Sequence, residues 1–216
     1  MASPGGASRA AIPATRDPRV VWPALSASPH SDARARLATL IRDHALIRES
    51  VVLSSGRRSS YYFDARQVLL DPEGASLAGL LSWELLAPAG PSAVGGLTMG
   101  ADPLVCATSL AAWDAGERVT GFFVRKEAKK HGLQQWIEGP FIEEGTPVAV
   151  VDDVLTSGGS LIKAVEKARQ AGGVVVAALV VIDRAEGGRD AALEALGDAP
   201  LHALFTAPEL LESPAA

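Results

Sequence analysis

Asp152 and Asp153 stand at the end of the apolar run Val148-Ala149-Val150-Val151, and Val154-Leu155-Thr156-Ser157-Gly158-Gly159-Ser160 follows them. The order reads as a strand, a loop rich in hydroxyls and glycine, and a helix. At the carboxyl edge of a parallel sheet, that is where ligands bind. Gly158 and Gly159 let backbone N–H groups approach an oxyanion, and a helix start adds donors and a favourable dipole. Thr156, Ser157 and Ser160 supply hydroxyls, so the loop suits a phosphate. Neither the Gly-x-x-x-x-Gly-Lys-Ser/Thr nor the Gly-x-Gly-x-x-Gly nucleotide pattern is present. The carboxylates call for a different partner, because consecutive side chains of a strand point apart and cannot grip one atom. The two hydroxyls of a ribose fit them. A magnesium ion, held partly through substrate oxygens, is a second option. The plainer alternative is a tight turn in which the Asp pair acts as a cap.

Two further stretches carry charge suited to anions. Phe123-Val124 runs into Arg125-Lys126-Glu127-Ala128-Lys129-Lys130-His131-Gly132, which places five potential cations within seven residues of a chain whose formal charge is −5. A loop of that kind suits a diphosphate, and a solvated charged face is the alternative. Arg184 closes the long apolar run Val174 to Ile182. A planar guanidinium matches a planar carboxylate bidentately. Simple pairing of Arg184 with the adjacent Asp183 is the competing reading.

These residues need a scaffold, and the patterning supplies one. Leu37, Leu40, Ile41, His44 and Ile47 lie near one helical face that Ser31 or Asp32 could cap. Stretches 50–54 and 60–64, split by Ser55-Gly56-Arg57-Arg58, read as a hairpin or strand–turn–strand. Residues 73–87 form a helix striped by Leu77, Leu80, Leu81 and Leu85. Strands are then expected at 92–96, 119–124, 147–151, 174–182 and 201–205, the last a short edge strand, with helices at 102–114, 160–170 and 188–197. Apolar strands without strict alternation, joined by helices, predict an α/β fold with a mainly parallel central sheet covered on both faces. Residues 1–30 carry five Pro and little apolar periodicity and read as a disordered extension.

Composition removes several classes. The chain has 216 residues, 48% of them apolar, enough for one domain with its own core. Its acidic balance gives no support to nucleic-acid wrapping, and its apolar runs are too short to span a membrane. The single cysteine, Cys106, excludes a disulfide within the chain, fits a reducing, cytoplasmic setting, and sits in a helical pattern as a small buried apolar residue. Four scattered His residues show no metal-ligand spacing, so no metal held by protein side chains alone is expected.

The run ending in Asp152-Asp153 and continuing through Thr156 and Gly158-Gly159 resembles the diphosphate-ribose signature of the type I phosphoribosyltransferases. Three further stretches are similar to orotate phosphoribosyltransferases. One is Ser55-Gly56-Arg57-Arg58-Ser59-Ser60-Tyr61-Tyr62-Phe63-Asp64, preceded by Ser54 where many members place a Lys. The second is the cationic segment from Arg125 to Gly132 leading to Ile137-Glu138-Gly139, and the third is Ile182-Asp183-Arg184. The loop Gly95-Gly96-Leu97-Thr98-Met99-Gly100 is similar to one that often holds a non-proline cis peptide in this family.

The resemblance implies a small N-terminal hood at about 31–70, a core at about 71–212 and a mobile flap. It also implies transfer of the phosphoribosyl group of 5-phosphoribosyl 1-diphosphate to N1 of orotate, in pyrimidine (UMP) biosynthesis. Asp152 and Asp153 would meet the ribose hydroxyls, and Thr156, Ser157, Gly158, Gly159 and Ser160 the 5-phosphate. Arg125, Lys126, Lys129, Lys130 and His131 would meet the diphosphate, with Lys129 the main catalytic residue of the flap. Tyr61, Tyr62 and Phe63 would lie against the base and Arg184 would pair with the orotate carboxylate. Mg2+ would be held mainly by substrate oxygens. The flap would cover the neighbouring subunit's site in a homodimer. Other readings are transfer to another nucleobase, or a non-catalytic regulator that kept the ribose-phosphate pocket.

Overall fold

The computed structural model describes residues 30–48, 51–52, 58–128 and 136–212. Residues 1–29, the Ser54-to-Arg57 turn and Lys129, Lys130 and His131 lie outside them. The first helix, α1 (His30–Leu40), starts at His30, so Ser31 and Asp32 fall inside its first turn and are not caps. A π turn, Ile41–Ala45, continues it. The wider turn carries the buried face from Leu37 and Ile41 to Ala45, and leaves His44 and Ile47 facing solvent, against the expected stripe.

Four short strands follow: β1 (Leu46–Ile47), β2 (Val51–Val52), β3 (Arg58–Ser59) and β4 (Tyr62–Phe63). The expected hairpin is two nested ladders. β2 pairs with β3, and β4 reaches past them to pair antiparallel with β1. After α2 (Arg66–Leu69), Asp71 caps α3 (Pro72–Leu86) by accepting from the N–H groups of Glu73 and Gly74, with Pro72 at the first position. The buried face of α3 is Ala78, Leu81, Trp83 and Leu86; Leu77 and Leu80 are half-buried and Leu85 is at the surface. Gly79 allows close packing on the next helix, since a Cβ there would lie 2.5 Å from the carbonyl oxygen of Ala107.

The remaining elements are β5 (Ala93–Leu97), α4 (Asp102–Asp114), β6 (Thr120–Val124), β7 (Ile137–Glu138), β8 (Pro147–Leu155), α5 (Gly159–Gln170), β9 (Val174–Asp183), α6 (Gly188–Leu196), β10 (Leu201–Thr206) and α7 (Ala207–Leu211). Strand order in the six-stranded sheet is β10-β9-β8-β5-β6-β7, parallel except for β7. Successive residues of the long strands enter opposite layers. Ala149, Val151, Leu179 and Val181 pack with α1, α3 and α4, whereas Val148, Val150, Ala178 and Val180 pack with α5 and α6. Burial on both faces is why these strands read as continuous apolar runs. Arg34 and Arg42 tie α1 to the C-terminal elements through the carbonyls of Leu204, Glu209 and Leu210. Cys106 is exposed on α4, not buried as expected, because the buried face of that helix runs through Leu104, Val105, Thr108 and Ala112.

Candidate active site

From β5 the chain moves outward to β6 on one side and returns through β8 on the other. The loops after β5 and β8 therefore diverge and leave a crevice at the carboxyl ends of the strands. Asp152, Asp153, the Thr156–Ser160 loop and Arg184 gather at this point; Lys129, Lys130 and His131 lie outside the described residues. β8 runs through Leu155, four residues past the apolar run, so Asp152 and Asp153 are held within the strand and the loop begins at Thr156. Asp152 accepts from the N–H of Asp153 at 3.1 Å, and Asp153 from the N–H of Val154 at 2.9 Å. Asp152 is buried and Asp153 half-buried. Burial, reinforced by the neighbouring Asp153, pushes the Asp152 carboxyl well above the usual range. Burial also raises Asp153, against the pull of its backbone hydrogen bond.

The β5 loop closes over this pair. A Cβ on Gly96 would lie 2.1 Å from the Val151 carbonyl oxygen, and one on Gly100 would lie 2.5 Å from Asp153 Oδ1. The Thr98–Met99 peptide in this loop is cis. Beyond β8, Gly158 adopts φ 85° immediately before α5, a conformation that favours glycine. Thr156, Ser157, Gly159 and Ser160 surround it, with Ser157, Gly159 and Ser160 exposed at the helix start.

Arg184 reaches the same edge through register. Leu155 pairs with Asp183, and the Arg184 N–H donates to the Leu155 carbonyl at 3.0 Å. Its side chain is 1% exposed, lies 4.7 Å over the ring of Tyr61, and pairs with Glu186 at 2.7 Å. Asp183 does not pair with it. Asp183 accepts from the Ala185 N–H and pairs with Arg189 at 3.1 Å. Of the three aromatics, Tyr61 stands by Arg184 and Tyr62 is half-buried beside Arg66. Phe63 is 2% exposed and packs in the core, so its expected contact with the base is corrected to a packing role.

The cationic loop hangs from a two-residue ladder, Phe123 with Glu138 and Val124 with Ile137. Arg125 is engaged at this stem by Glu138 at 2.7 Å. Lys126 is exposed, and its carbonyl accepts from Lys163 of α5. On the other flank, Trp136 lies under Lys167 and Lys163, 4.0 and 5.1 Å from its ring centre. Sequence reasoning assigned no role to Arg66, Lys163 or Glu186. Only Glu186 left a readable sign, an acid two residues beyond a strand-ending Arg.

Among the described residues, no cluster of three or more His, Cys, Asp or Glu could hold a metal. Two adjacent hard carboxylates fit only a magnesium ion that takes most of its ligands from elsewhere. None of the helices among those residues is long and apolar enough to cross a membrane.

A strand-end acid pair beside a glycine–hydroxyl loop stands at the switch point of a mainly parallel sheet, where ligands bind in folds of this class. The phosphoribosyl transferase domain matches residues 71–192. The orotate phosphoribosyltransferase of Rhodopseudomonas palustris strain BisB18 is 42% identical over 186 residues, covering 85% of this chain and 98% of its own length. That of Streptomyces coelicolor is 47% identical over 157 residues, covering 73% and 86%. The crystal structure of Mycobacterium tuberculosis orotate phosphoribosyltransferase with 5-phospho-α-D-ribosyl 1-diphosphate superposes with a TM-score of 0.69 at 38% identity, over 82% of this chain and 98% of that one. The chain belongs to the orotate phosphoribosyltransferases.

Proposed function

We propose that this protein joins orotate to 5-phosphoribosyl 1-diphosphate, giving orotidine 5'-phosphate and diphosphate, as a step in the making of pyrimidine nucleotides. The observation that carries this is the meeting, at one sheet edge, of a phosphate-type loop with a buried guanidinium, Arg184, stacked on Tyr61. Orotate carries a carboxylate that this guanidinium can bind bidentately, and a neutral base does not.

In this reading, Asp152 and Asp153 accept from the ribose hydroxyls, and Thr156 through Ser160 hold the 5-phosphate at the start of α5. Arg184 fixes the base so that its ring nitrogen faces C1 of the ribose. As the bond to diphosphate breaks, positive charge develops on the ribose beside two carboxylates, and negative charge passes to the leaving group. Lys126, Lys129, Lys130 and His131 of the flap, with Arg125 at its stem, balance that charge and exclude water. Mg2+ held by the diphosphate and ribose oxygens, next to Asp152 and Asp153, would add charge neutralisation. No covalent nucleophile is needed. The proposed setting is the cytoplasm.

We further propose a homodimer in which each flap serves the partner's site. The exposed Cys106 and Leu110, one turn apart on α4, give an apolar strip that suits such packing. In an isolated heterodimer of Lys129→Ala and Asp153→Ala chains, one site keeps both functions; complete loss of activity overturns the sharing.

The deciding assay is Mg2+-dependent loss of orotate absorbance on adding 5-phosphoribosyl 1-diphosphate, with adenine, hypoxanthine and uracil in parallel. Consumption of orotate alone is expected. Turnover of another base in its place would keep the ribose site and refute the use of Arg184.

A further inference from the structure

The contact between Arg184 and Glu186 has a geometry that bears on substrate selection. One carboxylate oxygen, Glu186 Oε1, takes both Arg184 Nε at 3.0 Å and the adjacent Nη2 at 2.7 Å. That is one of the edges through which a guanidinium binds a carboxylate in bidentate fashion. The same oxygen accepts from the Tyr61 hydroxyl at 3.3 Å. Glu186 therefore occupies an edge of Arg184, beside Tyr61, that can receive the carboxylate of a flat ring.

The two partners differ in their freedom to move. Arg184 is 1% exposed, sits at the end of β9 and is anchored through its N–H to Leu155. Glu186 is 22% exposed on a turn between two left-handed residues, Ala185 at φ 55° and Gly187 at φ 92°. The glutamate has a path to water and the arginine has none.

We propose that Glu186 is a built-in competitor for the substrate carboxylate: it holds the Nε–Nη2 edge of Arg184, yields it to an anionic base, and retakes it as the product leaves. This rests on the assignment of Arg184 to the orotate carboxylate. Three consequences follow. The guanidinium stays hydrogen-bonded throughout turnover. A neutral base, with nothing to exchange for Glu186, gains no foothold. The carboxylate that orotidine 5'-phosphate carries is displaced from within, so product release is faster than it would be from an unopposed arginine.

Steady-state kinetics of Arg184→Ala, Glu186→Gln and Glu186→Asp separate the possibilities. With Arg184→Ala, orotate KM rises at least about 100-fold; an unchanged value overturns the Arg184 assignment itself, whatever Glu186 does. With Glu186→Gln, orotate KM and the inhibition constant of orotidine 5'-phosphate both fall about 10-fold, while KM for 5-phosphoribosyl 1-diphosphate stays within about twofold. Glu186→Asp keeps the charge but loses the reach, and behaves like Glu186→Gln. If orotate KM is unchanged or rises in Glu186→Gln while Arg184→Ala has the stated effect, Glu186 is a fixed orienting residue and competition is refuted. An Asp variant matching the wild type would show that nearby charge, not occupancy of the edge, matters, and would refute it equally.

Discussion

Gly100→Ala tests whether the loop after β5 positions Asp153, the acid proposed to meet the ribose. An added Cβ would sit 2.5 Å from Asp153 Oδ1, 2.7 Å from Cγ and 2.8 Å from Oδ2, so the whole carboxylate blocks it. Ordinary contact begins near 3.4 Å, so something must yield by about 0.9 Å. Gly100 is not among the residues with positive φ, so the backbone itself accepts alanine. The opposing side offers little give, because Asp153 is fixed by the Val154 N–H and by its place within β8. A displacement of about 1 Å in a positioning group costs about 100-fold in rate, equivalent to about 2.7 kcal/mol. Overpacking also costs stability, about 1–3 kcal/mol. The assay is kcat/KM for 5-phosphoribosyl 1-diphosphate at saturating orotate, followed by orotate absorbance, with thermal unfolding alongside. The expected result is a loss of about 100-fold in an enzyme still folded at the assay temperature. A double-mutant cycle with Asp153→Ala makes this a test of cause, since removing the carboxylate removes the clash. Wild-type kinetics in Gly100→Ala, or an undiminished loss when Asp153→Ala is already present, would refute the reasoning.

Asp152→Asn trades activity for stability. Because burial holds this carboxyl well above its usual range, the folded chain binds its proton more tightly than the unfolded chain, and stability falls as pH rises from the ordinary Asp value through the folded one. The Asn variant escapes that loss. At pH 7–8 it is more stable by roughly 0.5–2 kcal/mol, with the gain vanishing toward pH 4, and its kcat/KM falls about 10–100-fold. Denaturant unfolding at the two pH values checks this, and a variant less stable at pH 8 than at pH 4, relative to wild type, contradicts it. Trp136→Ala removes a ring lying under Lys163 and Lys167 at the flap's flank. Stability drops by about 1 kcal/mol or less, while kcat for orotate falls about 3–10-fold through a looser flap stem. Equal kinetics in mutant and wild type would dismiss that anchor.

What could be read from the sequence was what depends on pattern alone. The bounds of α4 follow from Asp102-Pro103 at its start and the apolar spacing beyond, and β9 from an apolar run with no polar break. The acid pair and the glycine loop were legible because their chemistry is local. Contacts set by packing were not. The π turn at Ile41–Ala45 inserts its extra residue without any glycine or proline to announce it, and so displaced His44 and Ile47 from the predicted face. β4 chose β1 over β2, a decision between ladders of two residues each that no propensity resolves. Phe63 looked like its neighbours Tyr61 and Tyr62 until strand geometry sent it into the core. Glu186 was visible as a charge but not as a partner, since only the left-handed turn at Ala185 folds it back onto Arg184.

The parts of the site also divide by how they are held. A Cβ on Gly188 would lie 2.3 Å from the Thr156 carbonyl oxygen, and one on Gly158 would lie 2.9 Å from that of Gly188. The phosphate loop and the turn beyond Arg184 are thus packed backbone to backbone, with no side chain between them to adjust. A shift of one therefore moves the other, and under the proposed assignments the sugar-phosphate and the base are presented at a fixed separation. Among the described residues, the stem of the cationic segment, proposed to meet the diphosphate, is held by contacts of another kind, among them a two-residue ladder, the Arg125–Glu138 ion pair, Lys163 on the Lys126 carbonyl and Trp136 under Lys163 and Lys167. Each of these contacts is worth about 1 kcal/mol or less where it is exposed. The proposed reaction suits this division, because the ring nitrogen and C1 of the ribose need constant geometry while the diphosphate must enter and depart each cycle. Rigid glycine contacts belong on the side where the bond forms, and weak, separable ones on the side where it breaks.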